Sequence, residues 1–320
     1  MRILIAEDSR YQNRVLQVLI ESWGHTVLST TSGTAALEVL LGANPPELAL
    51  LDWEMPGKTG PEICAELRSR GGQYVYTILL TAKDSHADIA EGLTGGADDF
   101  ISKPPNPLEL WARIYVGQRA LAMHRELVEA RERLEFEATH DALTGLWNRR
   151  AIMSFFEREL SRAKRQATSV AALVIDVDDF KRINDTYGHT MGDRVLEEVA
   201  KKMNGAMRPY DFLGRSGGEE FLAILPGAEL EGAHEAGERI RLQVREIAFE
   251  DQPSIKVSIS VGAAVHQLDQ RVSDVIEAAD SALYRAKLAG KDRVELMLPF
   301  AEMASHLGYS KQIMRSLQSA

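Results

Sequence analysis

Residues 2–104 alternate short apolar runs with amphipathic stretches. The runs, at 3–6, 26–29, 48–51, 77–80 and 99–101, have strand length, and helical spacing fills the gaps between them. Five such units predict a doubly wound α/β domain on a parallel sheet. In that fold, polar side chains at the carboxyl ends of the strands gather in one crevice. Residues 106–138 read as one long helix: beyond Pro105 and Pro107 there is no proline and a single glycine, Gly117. Val116, Ala120, Met123, Leu127, Ala130 and Leu134 step by fours and threes into a heptad-like seam, with Arg125, Glu126, Glu129, Arg131, Glu132 and Arg133 around it. Such a seam suits pairing with a second chain, or a single amphipathic helix lying on its own domain. Residues 139–298 predict a second unit, with strands at 170–175, 221–225 and 257–265 and helices at about 149–166, 190–207, 229–247 and 272–289. Strands and helices do not alternate strictly there, which predicts α+β character. Residues 299–320 form a tail in which Met303, Leu307, Met314 and Leu317 fit one helix face, without an assigned role.

The length of 320 residues suits two domains, with 1–120 as the first, 106–138 as a linker continuing its last helix, and 139–298 as the second. A formal net charge of −10 disfavours nucleic acid and anionic membranes, so an anionic ligand would need a local basic cluster or a metal. No basic helix-turn-helix stretch follows the linker, so no DNA partner is expected. The single cysteine, Cys64, excludes an internal disulfide and fits a reducing compartment. No apolar run approaches the roughly 18 residues of a membrane span, and Met1 leads into a short apolar strand followed by acids rather than a signal peptide. The expected location is cytoplasmic.

Glu7 and Asp8 end the first apolar run, Asp52 the third and Thr81 the fourth; Lys103 follows the fifth. These side chains should meet at one sheet edge. Three carboxylates together repel, so a hard divalent cation such as magnesium is expected between them. Asp52 would be a nucleophile toward a phosphoryl group, Lys103 a point charge on it and Thr81 a hydroxyl donor. A lone strand-end Asp is more often a cap or turn residue; the constellation is what carries the reading. Ala6-Glu7-Asp8, Leu51-Asp52-Trp53-Glu54-Met55-Pro56-Gly57, Leu80-Thr81-Ala82 and Lys103-Pro104 make residues 1–120 resemble a response-regulator receiver domain, a flavodoxin-like fold. The resemblance implies a cis Lys103–Pro104 bond, metal binding by Glu7, Asp8, Asp52 and Glu54, and phosphorylation of Asp52 by a sensor histidine kinase or phosphotransfer protein. It also implies a switch through Thr81 and Phe100.

A second acid-rich strand end lies at Asp176-Val177-Asp178-Asp179-Phe180-Lys181, and Gly217-Gly218-Glu219-Glu220-Phe221 reads as a tight turn between strands. The alternative, an exposed acidic hairpin, leaves the first of these unexplained. Asp141-Ala142-Leu143-Thr144-Gly145-Leu146-Trp147-Asn148-Arg149-Arg150, the stretch 176–193, the turn 217–221, and Ala282-Leu283-Tyr284-Arg285-Ala286-Lys287 with Gly290-Lys291 together resemble a GGDEF-type diguanylate cyclase domain. Glu219 stands where the family name has Asp. The resemblance implies condensation of two GTP into cyclic di-GMP, with catalytic Glu219, Glu220, Asp176 and Lys181. Asp176, Glu219 and the Val177 carbonyl would bind magnesium, with manganese as a substitute. Asn184 and Asp193 would read guanine; Lys181, Lys287 and Lys291 would contact phosphates, with Phe180 in the GTP site. Lys291 replaces a frequent Arg, a point charge in place of a planar fork.

The same resemblance makes Arg208 and Asp211, with Arg239, an inhibitory site for cyclic di-GMP; by itself Arg208-Pro209-Tyr210-Asp211 equally reads as a helix end and a turn. One active turn per chain implies a homodimer. The retained acids and Lys181 speak against a degenerate domain that only binds the product, and Asp193 against a mixed guanine–adenine ring.

Overall fold

The structure, a computed structural model, describes residues 1–82, 90, 92–267 and 270–297. The tail at 299–320 lies outside them. The chain divides into two compact units between Glu132 and Arg133.

In the first unit β1 (Arg2–Ala6), α1 (Arg10–Ser22), β2 (Thr26–Thr30), α2 (Gly33–Leu40), β3 (Leu48–Asp52), α3 (Gly60–Arg70), β4 (Tyr76–Thr81) and β5 (Asp99–Ser102) follow the expected order. The five strands are parallel in the order β2-β1-β3-β4-β5. Strand alternation assigns the two faces: Leu4 and Ala6 pack with Ala36, Leu37, Leu40, Ile63 and Cys64, while Ile3 and Ile5 pack with Leu16 and Ile20. β3 and β4 are buried along their whole length, as continuous apolar runs in a doubly covered sheet should be. Helix starts carry their own signals, Ser9 on α1, Ser32 on α2 and a Thr59–Glu62 capping box on α3.

The long helix α4 spans Pro107–Thr139 without interruption. Leu110, Ile114 and Leu121 form the stripe that packs on the first sheet. The heptad seam is a different stripe, and Val116, Met123, Leu127 and Leu134 on it are exposed. Among the described residues, no helix is long and apolar enough to cross a membrane.

The second unit contains β6 (Trp147–Asn148), α5 (Arg149–Gln166), β7 (Val170–Val177), α6 (Phe180–Tyr187), α7 (His189–Ala206), β8 (Phe212–Gly217), β9 (Glu220–Pro226), α8 (Leu230–Arg245), β10 (Ile259–Val265), α9 (Val272–Leu288) and β11 (Val294–Leu296). Its six-stranded sheet runs β11-β10-β7-β9-β8-β6 and is mixed: β10-β7-β9-β8 are antiparallel neighbours, and the edge pairs are parallel. This is the α+β arrangement expected. Ala171, Leu173, Ile175 and Val177 face α7 and α8, whereas Val170, Ala172 and Val174 face α5 and α9. By the same alternation Asp176 falls on the α9 face. Gly262 lets α9 lie directly on β10, since a Cβ there would overlap Ala279 O and Leu283 N. β6 and β11 carry no clear apolar period and were not expected; β8 is the strand that the 217–221 turn implied without bounds, and the strand expected at 257–265 begins at Ile259.

Candidate functional site

In the first unit the crevice sits where β1, β3 and β5 end. Oxygens of Glu7, Asp8 and Asp52 lie within 4.8 Å of one another, a hard-donor set that fits magnesium. Glu54 is exposed and outside that group. Lys103 Nζ is 2.6 Å from Glu7 Oε2 and 2.7 Å from Asp52 Oδ2. Burial pushes the Glu7 carboxyl up, helped by the Asp52 charge and opposed by the Lys103 hydrogen bond. Burial works against the Lys103 ammonium, but hydrogen bonds to Asp52 and Glu7 outweigh it and raise its pKa. Thr81 is buried at the end of β4, and its carbonyl accepts the Lys103 N–H at 2.7 Å. Phe100 on β5 is half-buried, and the Lys103–Pro104 bond is cis.

In the second unit β7 and β9 place Asp176 directly opposite Glu220. The β8–β9 turn is built on Gly217 and Gly218, at φ 145° and 55°, backbone that side chains disfavour. Glu219 sits in the turn and its carbonyl accepts the Val177 N–H at 3.2 Å, so the turn is fastened to the strand end that carries Asp176. Lys287 of α9 reaches Asp176 at 2.8 Å. Burial pushes the Asp176 carboxyl up; Lys287 opposes this, while Glu219 and Asp178 add to it by repulsion. Asp176 and Glu219 are thus near enough to repel as like charges, a repulsion that a bound cation would offset. Asp280, on α9, is also pushed up, by burial and by the Glu220 charge.

Lys291 pairs with Asp179 at 2.6 Å, and Lys181 is exposed in the first turn of α6. Phe180 is buried under that helix. Asn184 Oδ1 lies against the Gly192 backbone, next to exposed Asp193. Arg208 donates its N–H to Asp211 Oδ2 at 2.9 Å, and Arg239 Nε donates to Ala206 O at 2.9 Å. Arg239 Nη2 is buried with no partner among the described residues. Burial pushes Asp211 up, against the nearby Arg208 and Arg239.

Several residues of the site were not singled out from the sequence. Arg215 Nε and Nη2 donate to Gly218 O at 2.9 and 2.7 Å, and Nη1 donates to Asp141 Oδ1 at 3.0 Å. Asp141 lies inside a quoted motif and Arg215 two residues before the glycine pair, so the signal was present in position but not in chemistry. Asp178, buried, accepts from Ser258 Oγ and Ser260 Oγ at 2.7 and 2.6 Å.

Residues 138–293 match the family model of the GGDEF diguanylate cyclase domain, and residues 3–115 that of the response regulator receiver domain. The chain is 30% identical over 302 residues to the response regulator PleD of Caulobacter vibrioides, covering 92% of this chain and 65% of that protein. It is 39% identical over 181 residues to the diguanylate cyclase DgcP of Pseudomonas aeruginosa, covering 56% of this chain and 26% of that one. The chain therefore spans less than two thirds of the length of either curated relative. A solved structure of the coiled coil and GGDEF domain of DgcB from Caulobacter crescentus, in complex with c-di-GMP, is similar at 31% identity and a TM-score of 0.53, over 58% of this chain and 98% of that one. With receiver and cyclase motifs in order, each on its own sheet, the chain belongs to the GGDEF family, in the form that carries a response-regulator receiver domain ahead of the GGDEF domain.

Proposed function

We propose that the chain condenses two GTP molecules into cyclic di-GMP and two pyrophosphates, under control of phosphorylation at Asp52. The observation that carries this reading is the strand-end cluster: Asp176 paired with Lys287 at 2.8 Å, opposite Glu220 and fastened to the Glu219 turn. In each half-reaction the 3′-oxygen of one GTP forms a bond to the α-phosphorus of the other. The bond from that phosphorus to the leaving pyrophosphate breaks, and the hydroxyl proton passes to a base. Glu220 is exposed at the start of β9 and is the candidate base. Asp176, Glu219 and the Val177 carbonyl would hold magnesium or manganese, which when bound polarises the phosphoryl group and offsets its charge. Lys181, Lys287 and Lys291 take the phosphates, and Asn184 and Asp193 the guanine edge, with Phe180 beneath.

One active turn per chain requires two chains, and the exposed Val116, Met123, Leu127 and Leu134 stripe of α4 is the surface offered for pairing. Asp52 attacks the phosphorus of a phosphohistidine on a sensor kinase or phosphotransfer protein; the P–N bond breaks and the imidazole leaves. Lys103 and Thr81 then hold the phosphoryl group, and Phe100 carries the change outward. Product inhibition fits Arg208, Asp211 and Arg239, whose buried Nη2 lacks a partner among the described residues. The cytoplasm, which is reducing and supplies GTP, suits a chain whose one cysteine is buried and free.

The test is GTP turnover with the product identified by mass, with and without beryllofluoride, for wild type and Asp52→Ala. Cyclic di-GMP whose rate rises with beryllofluoride only in wild type is expected. No product, or equal stimulation of Asp52→Ala, would refute it.

A further inference from the structure

Three acids at the carboxyl end of β7 each hold a different point of the segment 287–292, which links α9 to β11. Asp176 pairs with Lys287 at 2.8 Å and Asp179 with Lys291 at 2.6 Å. Asp178 Oδ2 accepts the Asp292 backbone N–H at 3.1 Å. The three tethers differ in kind. Lys287 and Lys291 are 37% and 40% exposed, so the cation of each pair reaches solvent, although Asp176 itself is buried. Asp178 is 6% exposed, and every bond described for its carboxylate comes from a neutral donor. Ser258 Oγ donates to Oδ2 at 2.7 Å and Ser260 Oγ to Oδ1 at 2.6 Å. Its own N–H donates to Ser258 O at 2.9 Å.

The segment needs holding. Lys291 and Asp292 both take left-handed backbone, at φ 62° and 45°, which costs an L-residue free energy and persists only where surroundings impose it. On its far side the Asp292 carboxylate meets Arg241 at 2.8 Å and Arg245 at 3.4 Å, both on α8. Those pairs bind the segment to α8, and backbone bonds from Lys291 N–H to Ala286 O and from Val261 N–H to Arg293 O hold its ends on α9 and β10; the Asp178 bond ties its middle to the end of β7.

Substrate changes the balance at β7. On the proposed reading, which this inference rests on, Asp176 turns to a cation while Lys287 and Lys291 turn to phosphates. Both ion pairs then open together. The Asp178–Asp292 bond requires no such exchange, because its donor is backbone and its acceptor is buried. We propose that Asp178 is the positioning residue that keeps the phosphate-binding segment 287–292 registered on β7 once substrate has opened its two ion pairs. Asp178 touches neither phosphate nor metal; it acts through the placement of Lys291.

The test uses the full chain as wild type, Asp178→Asn, Lys291→Met and the double variant. Asn keeps the shape but turns an N–H2 toward groups that themselves donate. Asp178→Asn and Lys291→Met should each raise KM for GTP about tenfold with kcat within about threefold, and the double variant should stay within about twofold of the worse single. Hydrogen exchange adds a readout independent of turnover: with a non-hydrolysable GTP analogue bound, the peptide covering 288–293 should stay protected in wild type and exchange faster in Asp178→Asn. Ser258→Ala removes one donor to the same oxygen and should shift KM and exchange in the same direction by less, which keeps the test available if Asp178→Asn misfolds. Multiplying KM effects, a loss confined to kcat, or unchanged exchange would overturn the proposal. An unchanged KM in Lys291→Met would overturn the phosphate assignment itself, and the proposal with it; a raised KM there with multiplying effects would overturn the proposal alone.

Discussion

Replacing Arg215 by alanine removes a clamp on the active turn. Two N–H groups leave the Gly218 carbonyl, at 2.9 and 2.7 Å, and a third leaves Asp141, at 3.0 Å. The Arg215 and Asp141 side chains are 14% and 25% exposed, so the pair is partly desolvated. Its loss falls between the roughly 0–1 kcal/mol of an exposed pair and the roughly 3–5 kcal/mol of a buried one. Asp141 keeps the Thr144 N–H and hydroxyl, and the exposed Gly218 regains water. About 2 kcal/mol is therefore the expected cost, a fall in apparent Tm of about 4–8 °C for a unit of this size. The rate should suffer more, because Glu219 follows Gly218 and a misplacement of about 1 Å costs roughly 100-fold. Pyrophosphate release at saturating GTP and scanning calorimetry measure the two effects separately. Asp141→Asn is the control: it removes the charge of the pair but leaves both Gly218 bonds, so Tm should fall by about 2–4 °C with the rate kept within about threefold. An Arg215→Ala protein that melts early yet turns over GTP at the wild-type rate would refute the clamp. So would an Asp141→Asn protein as slow as Arg215→Ala.

Other outcomes follow from the same geometry. Hydrogen bonds from Thr144 and Arg215 outweigh burial and hold Asp141 below its ordinary value of 3.8, so its stabilisation is complete above that pH and lost as pH falls through the lowered value. Asp141→Asn should flatten this acid limb in melting curves; parallel limbs would contradict it. Cys64 is fully buried, with its thiol pushed up to about 11 chiefly by burial, so Ellman's reagent at about pH 8 should label it only on unfolding, and labelling of native protein would disprove the burial. Lys103→Met leaves Glu7 and Asp52 facing each other without a cation, which should cost about 3 kcal/mol in metal-free protein and make Tm more responsive to added magnesium than in wild type, as a magnesium titration would reveal. Arg239→Ala gives up one bond to Ala206 O and an Nη2 without a partner among the described residues, so stability should change by no more than about 1 kcal/mol while the inhibition constant for cyclic di-GMP weakens at least about tenfold. Equal inhibition of both proteins would count against that site.

Much of the fold was legible because strand and helix periods report which way side chains point. The run 48–51 reads as a strand buried on both faces, and it is one. The apolar run at 170–175 reads as a buried strand ending in acids, and it is one; that the face carrying Asp176 meets α5 and α9 came only from the structure. The 217–221 turn implied a strand before it, but the bounds of β8 were not legible, since Phe212-Leu213-Gly214-Arg215-Ser216-Gly217 holds two glycines and little period; its pairing with β9 defines it. The α4 seam was visible in the heptad step, but the Leu110, Ile114 and Leu121 stripe beside it was not separated from it.

The amino-acid sequence by itself determined most of the elements, their order, and the motif blocks that carry acids and lysines to strand ends. Those features depend on local spacing, which the chain states directly. The partners were decided only by the tertiary structure. Lys103 meets Glu7 across 96 positions, Arg215 meets Asp141 across 74, and the Asp292 N–H meets Asp178 across 114. Each pairing needs sheet order, loop course and the close packing of α9 on β10 to be settled together. A residue's own neighbourhood in the chain contains none of that information.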